Sequence, residues 1–574
     1  MRKCVFLIVA FASAVGSESF ASVKPGALDG CVTGLERVGI RNISSVREHG
    51  FGRLWRGSAW RNERVHVPFA VWGGDVGDLR AESIGLKGPG GALIPITLSW
   101  VREVIVDDRP HGAKIDPLRY PPYLSGDILD TAQPFRLTYA GYRAVWASVK
   151  TPADTVPGLY GGDVTVSSAR GKVVFRIELE VLAATLPKVK KFHLDIWQTP
   201  WSLARYHGVK PFSPEHYAIM EPYFRELADA GQKAITVTIT DYPWNIRKNI
   251  DSARTMVKYV KHRDGTYSAD FSVMDEFVAF AEKCGIGPQI HCYAPVKFER
   301  SNTYQYVDEA TGEEKSVKLL PGTAEYEAYW SPLLVQLDKH ISEKGWRGRV
   351  YLALDELPGG ETAATAKLIS KYAPSVKFHM SGNQPPEMFE GIAIDGYSQM
   401  LGPKLMSKKF LGAIARRKAE GRYTTLYTCC LPFRPNALPM SPLHEQRWIG
   451  LYIAAKGFDG YLKSTFFRWV QDTDPLKDTH CYPNFPCGDS FLVYPGMRLS
   501  LRWQSLVDGI EDCEKINVLR EAGAMTPELS AALSGIDLAD YSGGTGSSAG
   551  EKVSSAIAAL EEASRRYASQ IKHL

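Results

Sequence analysis

Three Asp-Glu pairs stand in this sequence, at Asp275-Glu276, Asp308-Glu309 and Asp355-Glu356. Adjacent carboxylates suit acid–base chemistry. One can pass a proton to a reacting oxygen while the other offsets charge that builds on the same substrate. The dipeptide alone says little, so the surroundings must separate the three. Asp275-Glu276 lies in SVMDEFVAFAEK, an amphipathic helical pattern that leaves both charges solvated. Asp308-Glu309 lies in a polar loop, YVDEATGEEK. Asp355-Glu356 follows the apolar run RVYLAL and precedes a loop opener, Leu357-Pro358-Gly359-Gly360. Neighbouring residues of a strand point to opposite faces, but the chain turns at a strand's end, and there both side chains can reach one mouth. This third pair is the candidate catalytic centre.

A strand-end pair needs a scaffold. From about residue 190 the pattern is of strands alternating with helices. Strand-like runs fall at 193–197, 234–240, 288–293, 350–354, 376–380, 392–397, 423–428 and 460–464. Helical periodicity marks 217–230, 273–283 and 362–372 between them. Eight strands over roughly 320 residues predict a (β/α)8, TIM-like barrel with insertions. A doubly wound sheet fits less well, because no Gly-rich phosphate loop follows a strand.

Reactive groups in such barrels come from the C-terminal strand ends. The ends supply Asp195 and Trp197, then Asp241, Tyr242 and Trp244, then His291 and Tyr293. They continue with Asp355 and Glu356, Asn383, Asp395 and Tyr397, then Tyr427, Arg434 and Asn436, and last Lys463, Arg468 and Trp469. Catalysis is assigned to Asp355 and Glu356. Substrate contact is assigned to Asp195, Trp197, Tyr242, His291, Tyr293, Asn383, Tyr397, Tyr427, Asn436 and Trp469. Such a crowd of carboxylates, hydroxyls and rings suits a polyhydroxylated substrate. Each residue also has a plainer reading: Tyr427 and Trp469 as core, Asn436 as a turn residue after Pro435, others as caps.

The rest of the chain frames the barrel. At 574 residues it exceeds one core. Residues 25–186 read as a β-sandwich, from alternating runs such as 64–72 and 173–181 punctuated by Gly, Pro and Asp. The barrel takes 190–522, and 523–574 form a C-terminal helical segment. Arg2 and Lys3 precede an apolar run, 5–15, too short to span a bilayer, and Ser19-Phe20-Ala21 offers a cleavage site. Residues 1–21 therefore read as a signal peptide, and the mature chain as periplasmic or secreted, without a membrane anchor. Lys plus Arg (68) nearly balances Asp plus Glu (63), which gives no case for nucleic acid. Of nine cysteines Cys4 leaves with the signal, and the others match no disulfide framework. No C-x-x-C or H-E-x-x-H points to zinc, so no metal and no cofactor are expected.

Longer segments carry a family likeness. They are 57–71 (GSAWRNERVHVPFAV), 143–166 (RAVWASVKTPADTVPGLYGGDVTV), 351–357 (YLALDEL) and 426–436 (LYTCCLPFRPN). Two more are 445–462 (EQRWIGLYIAAKGFDGYL) and 488–514 (GDSFLVYPGMRLSLRWQSLVDGIEDCE), the last being the most specific. Through them nearly the whole mature chain resembles bacterial proteins related to glycoside hydrolase family 123. The resemblance implies a retaining exo-β-N-acetylhexosaminidase, β-N-acetylgalactosaminidase-like, acting on an oligosaccharide or glycoconjugate glycan. It implies that the substrate's own 2-acetamido carbonyl attacks the anomeric carbon. Glu356 would then protonate the leaving oxygen and later deprotonate water, while Asp355 would hold the acetamido N–H. Lys463 and 465–467 depart from the more aromatic strand end that the likeness leads one to expect. Two alternatives stay open: a glycosidase for sugars lacking the acetamido group, with Asp395 or Asp195 as covalent nucleophile, and a non-catalytic carbohydrate-binding protein.

Overall fold

The computed structural model describes residues 28–34, 50, 52–73, 76–137, 141–244, 253–298, 301–389, 391–481, 484–541 and 547–571. The expected signal peptide, with its cleavage at Ala21, lies outside them.

Alternation in the N-terminal part produces two antiparallel-rich sheets. One runs in the order Asp29–Val32, Arg64–Gly73, Gly141–Lys150, Ile96–Val106, Tyr123–Asp130. The other runs Leu54–Arg61, Gly171–Thr185, Gly158–Ser168, Gly77–Glu82, Phe135–Leu137. Val164, Val166, Phe175 and Ile177 point inward with polar neighbours between them, and Phe175 stacks on Phe69 of the facing sheet at 4.5 Å. This is the expected sandwich.

Eight parallel strands follow. They are β1 (His193–Ile196), β2 (Ala234–Thr238), β3 (Gln289–Tyr293), β4 (Val350–Asp355), β5 (Lys377–Gly382), β6 (Gly396–Met400), β7 (Tyr423–Tyr427) and β8 (Gly460–Lys463). Their hydrogen-bonded order is β1-β8-β7-β6-β5-β4-β3-β2. Helices cover them: α1 (Pro214–Ala230), α2 (Ser272–Cys284), α3 (Ala324–Glu343), α4 (Gly359–Tyr372), α5 (Lys408–Ala419), α6 (His444–Lys456) and α7 (Leu501–Glu521). Among the described residues between β5 and β6, a 3-10 turn, Pro386–Phe389, stands in place of a helix.

The barrel closes between β1 and β2 through side chains. Among the described residues, one parallel bridge (Leu194 with Gln232) joins these strands. Buried Gln232 accepts from Ile196 N–H at 2.9 Å and donates to Ala234 C=O at 2.7 Å. Gln198 accepts from Thr236 N–H at 2.9 Å. Two amides thus satisfy backbone groups that a missing ladder would leave bare. Gln232→Leu should lower stability by about 1–3 kcal/mol for each buried group left unpaired. Chemical denaturation of wild type and variant checks this.

Strand β6 begins four residues later than the apolar run 392–397 suggests. Ile392 and Ile394 pack on the core from the connection ahead of it, so hydrophobicity precedes the strand. An antiparallel-rich sheet of four strands (Tyr267–Asp270, Lys258–Lys261, Thr303–Asp308, Glu314–Lys318) grows from the β2–α2 and β3–α3 connections, and the sequence reading did not foresee it. At the C terminus α8 (Ser547–Ile571) packs on α6, α7 and the sandwich strand Gly171–Thr185. Sandwich and barrel are further locked by buried Arg502 of α7, whose Nε lies 2.9 Å from Asp127.

Candidate active site

Register decides which strand residues face the barrel interior. Asp195 (β1) and His291 (β3) meet across it at 3.2 Å, and Tyr423 (β7) reaches His379 (β5) at 2.8 Å. In β4, Ala353 is level with His379 and Asp355 with Ser381, so Asp355 points inward at the top of the strand. Glu356 carries the ladder one step further, its N–H donating to Ser381 C=O at 2.8 Å. Simple alternation would turn its side chain outward. Its φ of +47°, in the left-handed region that non-glycine residues seldom occupy, swings it back over the mouth. Such a conformation costs on the order of 1–3 kcal/mol and is a mark of functional sites.

Both Glu356 oxygens are held. The Tyr427 hydroxyl, at the end of β7, donates to Oε1, and Asn383 Nδ2 donates to Oε2 at 3.2 Å. Burial pushes the Asp355 carboxyl well above the usual carboxylate range; the charge of Glu356 adds to this and the Arg468 guanidinium opposes it. Tyr293, at the end of β3, sits where Asp355, Asp195, Ser381 and Trp197 all act on its phenol, which burial raises. Its ring belongs to an aromatic wall: Trp197 stacks on Trp244 at 4.8 Å, and both rings lie within 5.0 Å of Tyr293. Burial and the neighbouring charge therefore favour the neutral form of Asp355 in the free enzyme.

The mouth thus gathers Asp355, Glu356, Asn383 and Tyr427, with the buried rings of Tyr293 and Trp197, expected to touch substrate, packed behind them. Tyr242 follows β2, half-buried, with Arg254 at 5.9 Å over its ring. Other expected substrate contacts need correction. Asp195 and His291 are buried one layer below the mouth, where burial pushes His291 down to about 3. Tyr397 has the opposite parity to inward Ser398; its hydroxyl donates to Gln384 C=O and braces the loop after β5. Asn436, fully buried, accepts from Thr428 at 3.0 Å and donates to Cys429 and Pro432 carbonyls at 2.8 and 2.7 Å, so its amide is taken up by the loop it folds. Trp469 is core: its Nε1 donates to Val493 C=O at 3.0 Å and its ring packs on Tyr206.

Three residues of the site were not chosen from sequence. Arg468 and Trp244 follow strands and carry that signal, whereas Ser381 is visible only once β5 is in register with β4. Tyr427→Phe removes a hydrogen bond to a carboxylate, worth about 1.5–3 kcal/mol. It should lower kcat/KM roughly ten- to hundredfold with the fold intact, which steady-state kinetics and circular dichroism check together.

A (β/α)8 barrel with an Asp-Glu pair at the top of β4 has the form of a glycoside hydrolase. The family follows from comparison. Residues 197–519 match the glycoside hydrolase 123 catalytic domain and residues 46–168 the glycoside hydrolase 123 N-terminal domain, so this chain belongs to glycoside hydrolase family 123. The structure of a family 123 glycoside hydrolase from Clostridium perfringens superposes with a TM-score of 0.83 at 21% identity, over 95% of this chain and 99% of that one. The two share the fold. A GH10 xylanase from termite gut (TM-score 0.30, 9% identity, 65% and 90% covered) and an endo-β-1,4-mannanase from Thermotoga petrophila (0.34, 11%, 57% and 77%) are too distant to add to this. Comparison with curated proteins returned no match.

Proposed function

We propose that this enzyme is a retaining exo-β-N-acetylhexosaminidase, β-N-acetylgalactosaminidase-like, in which the substrate's 2-acetamido carbonyl is the nucleophile. The observation that carries the reading is where the rival carboxylates lie. Asp395 is at the opposite end of the barrel, before β6, its Oδ2 accepting from Phe378 N–H at 2.9 Å. Asp195 is sealed beneath the mouth at 1% exposure. Neither is placed to attack an anomeric carbon held at Glu356. With Asp355 and Glu356 adjacent, Glu356 serves as acid and then base, and Asp355 orients the acetamido N–H and balances the oxazolinium-like charge.

The Clostridium perfringens relative is described as acting on glycolipid glycans, and we extend that class, glycoconjugate glycans, to this chain. The test is a panel of 4-nitrophenyl β-glycosides that differ only in bearing an acetamido or a hydroxyl group at position 2. Turnover of the acetamido members, N-acetylgalactosamine foremost, is expected; comparable turnover of 2-hydroxy members would overturn the reading. We also propose export to the periplasm or medium, from the leader-like residues 1–21. Fractionation that recovers an uncleaved, membrane-bound chain would count against it.

A further inference from the structure

The barrel layer directly under Asp355 is polar, where such barrels carry branched aliphatic side chains. Asp195 of β1, His291 of β3 and His379 of β5 meet there, each at 1% exposure or less. One ligand-capable atom from each lies within 4.8 Å of the other two, and His291 Nδ1 is 3.2 Å from Asp195 Oδ2. The convergent atoms (both Asp195 oxygens, His291 Nδ1 and His379 Nε2) make no hydrogen bond. The outer nitrogens are engaged. His291 Nε2 is 3.0 Å from Gln289 Oε1 and 3.4 Å from the Tyr423 hydroxyl, and His379 Nδ1 is 2.8 Å from that same hydroxyl. An amide oxygen only accepts, so His291 carries its proton on Nε2 and turns a bare lone pair toward Asp195.

Electron-pair donors aimed at one another in a dry core need a cation among them. Protons alone satisfy the cluster only if Asp195 is neutral and His379 carries its proton on Nε2; with that proton on Nδ1, toward the Tyr423 hydroxyl, three electron-pair donors converge and a divalent metal serves all of them. Two imidazoles and a carboxylate suit zinc and its first-row neighbours. The partners on the outer nitrogens are what orients metal-bound histidines. The 3.2 Å edge is close to the separation of about 3.3 Å expected between ligands of a tetrahedral zinc.

We propose that Asp195, His291 and His379 bind a structural divalent transition-metal ion, zinc by preference, in the barrel interior. The ligands sit on three strands far apart in the chain, which is why no spacing motif announces them. The site is closed from the mouth, so the ion acts on folding and not on substrate, and it is acquired as the chain folds.

The test measures metal in the full chain produced in zinc-supplemented medium and, separately, in cobalt-supplemented medium. Elemental analysis should find about one metal per chain, and the cobalt form should show visible ligand-field bands of a low-coordinate site. His379→Gln should lose both the metal and the bands and unfold at lower temperature. If that variant fails to fold, the wild-type metal content and cobalt spectrum decide alone. Folded wild type with less than about a tenth of an equivalent of metal in both media would overturn the proposal. A carboxylic-acid infrared band that vanishes in Asp195→Asn would do the same, by showing that a proton fills the role.

Discussion

Glu356→Gln is expected to reduce turnover of natural glycans by about 10²–10⁴-fold, the usual worth of a positioned general acid–base, while fold and sugar binding persist. The amide keeps the shape of the side chain and one acceptor oxygen for the Tyr427 hydroxyl, and gives up only the bond accepted from Asn383, so a purely structural role would leave most of the rate. Leaving-group dependence separates chemistry from damage. An aryl glycoside whose phenol departs without protonation should suffer far less than an alkyl or sugar leaving group. A variant that keeps more than about a tenth of wild-type rate on natural glycans would remove Glu356 from this role.

Asp355→Asn is expected to slow the reaction by about 10²–10³-fold, comparable to removing one preorganised charge-stabilising group. It should also weaken inhibition by a thiazoline that mimics the cyclised intermediate, because a neutral amide cannot balance the charge on that ring. The pH profile gives an independent readout. Burial and the charge of Glu356 hold the Asp355 carboxyl well above its ordinary range. A rate that depends on ionised Asp355 therefore falls, as pH drops, at a higher pH than the reference near 3.9 for aspartate. The asparagine variant should lose that limb. If Asp355 merely caps the turn that follows, stability falls instead, while thiazoline inhibition and preference for the acetamido group are kept. Equal rates on 2-acetamido and 2-hydroxy substrates with no thiazoline inhibition would refute substrate assistance.

Much of this protein follows from local sequence. Alternation at 173–181 marks one sandwich strand, because a half-buried strand repeats every two residues, whereas 64–72 is legible as a strand from its β-branched, apolar run and is buried throughout from His66 to Trp72. Apolar runs broken by helical periodicity mark seven of the eight barrel strands to within two residues at each end. The catalytic candidates were legible for the same reason: only Asp355-Glu356 joins an apolar strand to a Pro-Gly-Gly opener.

Tertiary structure alone decided which strand-end residues reach the mouth. Side-chain direction in a barrel depends on register with neighbouring strands, and a slip of one residue exchanges inside for outside. The later start of β6 therefore leaves Asp395 at the far end of the barrel and turns Tyr397 outward. Burial by loops arriving from elsewhere in the chain took Asn436 and Trp469 into the core. Glu356 reaches the mouth through a positive φ that no composition or periodicity encodes. Asp195, His291 and His379 are separated by many residues in sequence and meet only because β1, β3 and β5 face one another across a closed barrel. Sequence specifies each strand through short-range periodicity, whereas the site is a set of long-range coincidences fixed by closure and register.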